Sequence, residues 1–127
     1  MADRRSYLRI ALAVLGVVSL LVYPLMRLWP AGWAWTPRQP EYEMMIVGVY
    51  AVLGIFLIRA SRAPERHASL IWFAVWSSVV HGAGMAWMAL ADPAERGHLL
   101  GDVPALFLAA LVLGVLAPRG AATPPPT

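Results

Sequence analysis

The stretch from Ala68 to Ala91 constrains the fold most, because it is a membrane-length apolar run with His81 near its middle. At about 1.5 Å per residue, a helix of this length spans the roughly 30 Å hydrocarbon core of a bilayer. A soluble domain has about a quarter of its residues charged, whereas this chain has 13% charged and 60% hydrophobic residues. The stretch therefore predicts a transmembrane helix in an integral membrane protein.

Two faces separate when this stretch is wound as a helix at about 100° per residue. One stripe holds Ser77, His81, Met85 and Met88, and the opposite face holds Trp72, Trp76 and Trp87. Lipid tolerates tryptophan but penalises an exposed imidazole. We therefore expect the histidine stripe to face protein and the tryptophan face to meet lipid or a neighbouring subunit.

Three further apolar runs predict that the whole chain is all-α, as an up-down bundle of four transmembrane helices. The expected helices cover about residues 8–28, 41–59, 65–91 and 102–117, within a single domain of residues 1–118. The segment from Asp92 to Glu95 is predicted to form a short helical turn outside the hydrocarbon, because an aspartate cap is followed by glutamate three residues later. Residues 119–127 predict a disordered cytoplasmic tail rich in proline.

The arginines predict the orientation of the bundle. With the N-terminus inside, seven arginines fall on the cytoplasmic side and three on the opposite side, which favours an N-in, C-in topology. All ten basic residues are arginine, a composition typical of GC-rich bacterial genomes, so we expect a multi-pass protein of a bacterial inner membrane. The arginines are dispersed at helix ends, which argues against a nucleic-acid partner, and the absence of cysteine excludes disulfides and thiol catalysis.

Polar side chains of the first three predicted helices lie between mid-bilayer and the non-cytoplasmic surface, where they would line an outward-opening pocket. The candidate ligand-binding residues are Tyr23, Arg27, Glu43, Tyr50, Ser77, His81, Met85 and Met88. Ionisable groups inside a membrane are functional by default, but the same groups would also stabilise the bundle by hydrogen-bonding across helices. Arg27 and Glu43 sit at the same membrane edge, either as a salt bridge or as two independently solvated charges.

Metal and haem sites are the less favoured interpretations of the histidine stripe. His81, Met85 and Met88 have spacings of four and seven residues, so an imidazole and two thioethers would suit Cu(I), although methionine is also ordinary core filler. A bis-histidine haem would need a second chain, because only one histidine is embedded in the membrane. His67 and His98 are expected at the two interfaces of the bundle, and we expect no cofactor.

Several stretches resemble a family of small bacterial four-helix membrane proteins whose function is uncharacterised. They are YPLMRLWPAGWAW, EYEMMIVGVYAVLGIFLI, SLIWFAVWSSVVHGAGM and ADPAERGHLLGDVPALFL, within Leu8 to Arg119. The resemblance implies four helices and an inner-membrane location, and it supplies no activity. The pattern of Glu43, Gly48, Tyr50 and Gly54 is also similar to DoxX-like four-helix proteins.

Three functions remain open from the sequence. The first is a non-catalytic inner-membrane accessory subunit or self-associating scaffold, partnered by lipids, by copies of itself or by a larger membrane complex. Its helix interfaces would use Gly16, Gly48, Gly54 and Gly84. The second is a binder of a small hydrophobic ligand such as a quinone, carotenoid or other isoprenoid in the outward pocket. The third is a lipid-modifying enzyme acting through His81 and Glu43.

Overall fold

A computed structural model describes residues 3–119, and over this range the chain is helical and contains no strand. The α-helices are α1 Arg4–Leu20, α2 Val22–Leu28, α3 Pro30–Trp33, α4 Pro40–Ala60, α5 Ala68–Ala91 and α6 Asp102–Leu116. Two 3₁₀ helices, Pro64–Arg66 and Pro93–Leu100, precede α5 and α6 respectively. The tail predicted to be disordered lies outside the described residues from position 120 onward.

Three helical segments of residues 3–119 are long and apolar enough to cross a membrane: α4, α5 and the segment Pro93–Leu116. A fourth crossing results if α1 and α2 are counted as one bent span. The proline at the start of α4 suits that position, because the first helical N–H has no partner within the helix. Glu41 and Glu43 in the first turn complement the positive end of the α4 dipole.

The first helix is bent, where the sequence predicted one helix over about residues 8–28. α1 and α2 meet at Leu21 with an angle of 56°. Pro24 has no N–H for the carbonyl of Leu20 and its ring clashes with that carbonyl, so the helix cannot continue straight. The bend turns α2 and the segment after it back over the end of the molecule.

The long helices pack in two pairs, α1 with α4 and α5 with α6, and α1 also contacts α6. At the crossing of α1 and α4, a Cβ added to Gly54 would lie 2.6 Å from the Gly16 carbonyl oxygen, so the two backbones require glycine there. Gly48 and Gly84 have no atom within 4 Å of an added Cβ. Two of the four glycines expected at helix interfaces thus lie at a crossing within the chain.

A main apolar core lies toward the end of the molecule where α1 begins and α6 ends. It includes Leu12, Leu57, Ile71 and Leu113, each at most 2% exposed. Arginines of α1 contact other elements there, and Arg9 donates to the Ser61 carbonyl oxygen at 3.0 Å. Arg4 donates to the carbonyl oxygens of Val115 and Ala117 at 2.9 and 2.7 Å, and Arg5 forms an exposed pair with Glu65 at 3.2 Å.

The opposite end is closed by two segments that we call the cap: residues 29–39 and the 3₁₀ helix Pro93–Leu100. They approach each other at the backbone, because a Cβ added to Gly97 or Gly101 would overlap the carbonyl oxygens of Ala31 and Gly32 respectively. The predicted turn at Asp92 is present but longer than expected, and the Asp92 side chain accepts from the Ala94 N–H at 3.0 Å.

The tryptophans of α5 differ in exposure. Trp76 and Trp87 are exposed on the outer surface, at 63% and 76%. Trp72 is partly buried instead, and its indole N–H donates to the Pro118 carbonyl oxygen at 3.4 Å. The α5 surface predicted to face away from the histidine therefore has two outward tryptophans and one that packs against the end of α6.

Candidate ligand-binding site

A cavity of about 370 Å³ lies between the two helix pairs. Leu57, Ala74 and Leu113 of the main core close one end of the cavity, and residues 33–37 of the cap cover the other end. Most of the lining side chains are apolar. Those with a polar atom are Ser19, Trp33, Trp35, Thr36, Gln39, Tyr42, Glu43, Tyr50, Ser78, His81 and Asp102. Its volume falls within the range of small-molecule pockets, roughly 300–1,000 Å³.

Tyr50 and His81 meet across this cavity. The Tyr50 hydroxyl oxygen lies 2.7 Å from Nδ1 of His81, and the ring centroids are 6.0 Å apart. Within residues 3–119, α4 packs along α1 and α2 but has no extended packing against α5, so this hydrogen bond joins two helices that otherwise stand apart. When Tyr50 donates to Nδ1, the imidazole proton lies on Nε2, and the pair presents an N–H donor and a phenolic oxygen acceptor.

Glu43 lines the cavity and is paired with Arg38. Nε and Nη2 of Arg38 donate to the two carboxylate oxygens at 2.5 and 2.8 Å. This hydrogen bond raises the pKa of the exposed Arg38 guanidinium above its usual value. Glu43 therefore pairs with Arg38 and not with Arg27, the partner that was hypothesised. Arg38 lies only five residues before Glu43 and approaches it in a bidentate geometry.

His98 lies in the second segment of the cap, at one end of the molecule, and is fully buried there. The reason is the fold of the 3₁₀ helix Pro93–Leu100, which turns His98 inward against residues 34 and 35. Nε2 donates to the Ala34 carbonyl oxygen at 3.1 Å, and Nδ1 lies 2.8 Å from Oδ1 of Asp102. The Trp35 ring stacks on the imidazole at a centroid distance of 4.0 Å. Because the carbonyl can only accept, Nε2 carries a proton and a second proton lies between Nδ1 and Asp102.

Glu95 attaches the same 3₁₀ helix to the other half of the cap. Its Oε1 accepts from the Thr36 backbone N–H at 2.9 Å and also from the Thr36 hydroxyl. Its Oε2 lies 3.4 Å from Nε2 of His98. Glu95 is only 4% exposed, and buried carboxylates need such partners. The polar cluster of Glu95, His98 and Asp102 therefore fixes the cap over the cavity.

Trp33 provides a donor without a partner. Among the buried side-chain nitrogens and oxygens of residues 3–119, only its Nε1 makes no hydrogen bond. Trp33 belongs to the cavity lining, and with Tyr50 it packs against a small apolar cluster of Val22, Met26 and Ala34. Buried donors are nearly always satisfied in native proteins, so an unpartnered indole N–H calls for an explanation.

The structure divides the predicted site residues into two groups. Glu43, Tyr50, His81 and Met85 line the cavity, whereas Tyr23, Arg27, Ser77 and Met88 are outside its lining. Tyr23, Arg27 and Met88 are exposed, and the Ser77 hydroxyl donates to the Ala74 carbonyl oxygen at 3.3 Å.

The positions of Ser77 and Met88 follow from the buried line of α5. That line runs through Ile71, Val75, Gly82, Met85 and Ala89, where the helix meets α6 and the cap. Ser78 thus replaces Ser77 at the cavity wall.

Only two of the three side chains hypothesised to bind Cu(I) face the cavity. His81 and Met85 line the cavity, but Met88 is 49% exposed and outside the lining. The described residues contain no group of three or more histidine, aspartate or glutamate side chains arranged to hold a metal ion. The Tyr50 hydroxyl also occupies Nδ1 of His81, which leaves Nε2 as the imidazole nitrogen open to a further partner.

Taken together, the geometry defines a class: an all-helical protein with three or four helices able to cross a membrane and a capped, mainly apolar cavity between them. The chain belongs to a family of unknown function (DUF6632), whose family model matches residues 2–127. Comparison with curated proteins and with solved structures found no match. The family confirms the expected resemblance to an uncharacterised family, while the DoxX-like similarity stays a prediction.

Proposed function

We propose that this protein binds one small, mainly apolar molecule of the quinone or other isoprenoid class in the cavity between its helix pairs. The observation that carries the proposal is the cavity of about 370 Å³, whose walls are mainly apolar and include polar side chains from several helices and the cap. That combination is what binding sites for small hydrophobic molecules have in common, since apolar walls supply affinity and polar groups fix orientation.

The Tyr50–His81 pair supplies the polar contact near the middle of the cavity. A purely structural hydrogen bond between helices in a membrane contributes about 0.6 kcal/mol on average. Here the pair is formed beside open space rather than in a packed interface. This position therefore favours a role for the pair in holding a ligand oxygen, through Nε2 of His81 or through the Tyr50 hydroxyl.

The ligand enters sideways from the bilayer, between α4 and α5. These two helices have no extended packing against each other, whereas the other sides of the cavity are closed by helix contacts and by the cap. A lateral opening suits a membrane-dissolved ligand, because such a molecule reaches the site without crossing water. An isoprenoid chain longer than the cavity would extend through the same opening into lipid.

Filling the cavity tests the proposal. Ala109 lies on the cavity wall and is partly buried, so Ala109→Phe occupies space that a ligand needs. Ala83→Phe, on the exposed side of α5, is the matched control. Small molecules extracted from the two purified variants are quantified by mass spectrometry. We expect one species in stoichiometric amount with Ala83→Phe and its loss with Ala109→Phe; equal amounts in both would refute the cavity as the site.

A second candidate function is the accessory subunit or self-associating scaffold, and one observation favours it. The outer face of α5 presents Phe73, Trp76, Val80 and Trp87, all exposed, with open space at Gly84. Small and aromatic residues on one face are typical of helix interfaces within membranes. If copies of the chain associate through this face, Gly84→Leu lowers the oligomeric mass measured in mild detergent. A wild-type protein that is itself monomeric in that measurement would exclude self-association.

We further infer that the chain forms a bundle of four transmembrane helices in a bacterial inner membrane, with both termini in the cytoplasm. Seven arginines lie at the end where α1 begins and α6 ends, and three lie at the cap end, which supports this orientation under the positive-inside rule. Accessibility of single cysteines introduced at Arg62 and Arg96 tests it, because only the cap-end position should react with an impermeant thiol reagent in intact cells.

A further inference from the structure

An open groove on the outside of α1 is separate from the cavity, and the inference drawn from it does not depend on the proposed function. The groove has a volume of about 320 Å³ and lies where α1 begins. Its lining consists of Ser6, Arg9, Ile10, Ala13 and Ser61. We propose that this groove binds the phosphate headgroup of one anionic phospholipid, with an acyl chain of that lipid lying along α1.

Arg9 supplies the charged group of the groove, and a hydrogen bond fixes its orientation. Its Nε donates to the Ser61 carbonyl oxygen at 3.0 Å, at the end of α4. A carbonyl oxygen does not neutralise the guanidinium, and Arg9 makes no ion pair within residues 3–119. Its two terminal nitrogens therefore remain as donors, and arginine binds phosphate oxygens through such parallel N–H groups. The small side chains of Ser6 and Ala13 leave space beside it.

The surrounding charge favours an anion. Within residues 3–119, this end of the molecule has seven arginines and two carboxylates, Asp3 and Glu65. Both carboxylates have partners, because Asp3 caps the first turn of α1 and Glu65 pairs with Arg5 at 3.2 Å. Arg62, which directly follows Ser61, is exposed. An excess of basic residues at a membrane surface attracts anionic lipids.

An apolar stripe of α1 continues from the groove and distinguishes a lipid from free phosphate. Ile10, Ala13, Val17 and Leu20 follow one another at spacings of three and four residues, so they share one face of the helix. Ile10, Val17 and Leu20 are 60%, 48% and 40% exposed. The rise from Ile10 to Leu20 is about 15 Å, half of the roughly 30 Å hydrocarbon core. The stripe therefore matches an acyl chain of one leaflet.

The test compares two lipids with identical acyl chains, phosphatidylglycerol and phosphatidylcholine, of which only the first has a net negative charge. Purified protein in a nonionic detergent is titrated with each lipid, and lipid-bound chains are counted by native mass spectrometry. Arg9→Gln removes the charge from the groove and keeps a polar side chain. Arg66→Gln is the matched control, because Arg66 is exposed at the same end of the molecule and outside the groove lining.

We expect the wild type to bind phosphatidylglycerol at least about tenfold more tightly than phosphatidylcholine, the value of one charge-assisted hydrogen bond. Arg9→Gln should lose most of this difference, and Arg66→Gln should retain it. Equal losses in the two variants would overturn the inference in favour of general surface charge. Equal affinities of the wild type for the two lipids would overturn it as well.

A variant that keeps every charge makes the test valid if Arg9→Gln folds poorly. Ala13→Phe fills the groove one helical turn from Arg9 and should lower phosphatidylglycerol binding. Ala83→Phe, on the exposed side of α5, and Ala109→Phe, in the cavity, should leave that binding unchanged. Unchanged binding in Ala13→Phe, or its loss in Ala109→Phe, would overturn the groove as the site.

Inorganic phosphate, added to the lipid-bound wild type, separates the two sources of a phosphate group. It should not displace phosphatidylglycerol, because it offers nothing to the apolar stripe of α1. Complete displacement by inorganic phosphate would overturn the assignment to a lipid.

Discussion

Replacing His98 by leucine should release the cap from the rest of the molecule. The substitution keeps a buried apolar volume at a site that is 0% exposed, but removes both hydrogen bonds of the imidazole. The bond to the Asp102 carboxylate contributes about 1.5–3 kcal/mol and the bond to the Ala34 carbonyl about 1 kcal/mol. Asp102, only 6% exposed, is then left without its partner. The expected loss is about 3–5 kcal/mol, the range for breaking a buried ion pair from one side.

The assay is equilibrium unfolding in mixed micelles, followed by helical circular dichroism as the denaturing detergent is increased. His67→Leu, at the opposite end of α5 and partly exposed, is the matched control and should change stability little. The double variant His98→Leu with Asp102→Leu should be more stable than His98→Leu alone, because no carboxylate remains buried without a partner. A loss below about 1 kcal/mol in His98→Leu would show that this cluster does not fix the cap.

Two further predictions concern packing and charge. In the same unfolding assay, Gly54→Leu should destabilise the chain by about 1–3 kcal/mol, because the leucine side chain would push α1 and α4 apart. Gly84→Leu should be nearly neutral for the isolated chain, because a Cβ added at Gly84 has no neighbour within 4 Å. The hydrogen bond from Arg5 lowers the pKa of Glu65 below its usual 4.5, so the pair stabilises the fold above that pH and ceases to do so as the pH falls through the lower folded value. The difference in melting temperature between wild type and Glu65→Gln should therefore shrink below pH 4.5; a constant difference would contradict this.

The long apolar segments, and four of the residues that line the cavity, could be predicted from local pattern. Hydropathy alone indicates helices that cross a membrane, and the helical stripe of α5 predicts that His81 and Met85 face protein. Tyr50 and Glu43 follow from the same reasoning applied to α4. The pattern placed Met88 on the stripe as well, but packing against α6 and the cap leaves that side chain half exposed. A small rotation of a helix about its axis depends on the helix it packs against, and the periodicity of one segment carries no information about that neighbour.

The cap could not be predicted, because its contacts join residues about sixty positions apart. Trp35 and His98 stack, and Thr36 pairs with Glu95, only after α2 bends back and the 3₁₀ helix folds over it. One signal was present in the sequence. Gly97 and Gly101 surround His98 at spacings that permit close backbone approach, a pattern more typical of a packed segment than of a solvated loop.

Whether the cavity holds a ligand is measured most directly by a native mass spectrum of the wild-type chain released from mild detergent. If the cavity binds one molecule, the spectrum contains a peak at the chain mass plus one discrete small-molecule mass per chain. That added mass should dissociate on collisional activation without fragmenting the protein, and its composition should include an oxygen acceptor. A spectrum that contains only the bare chain, from detergent and from nanodiscs made with native lipids alike, would contradict the claim that the cavity is a binding site.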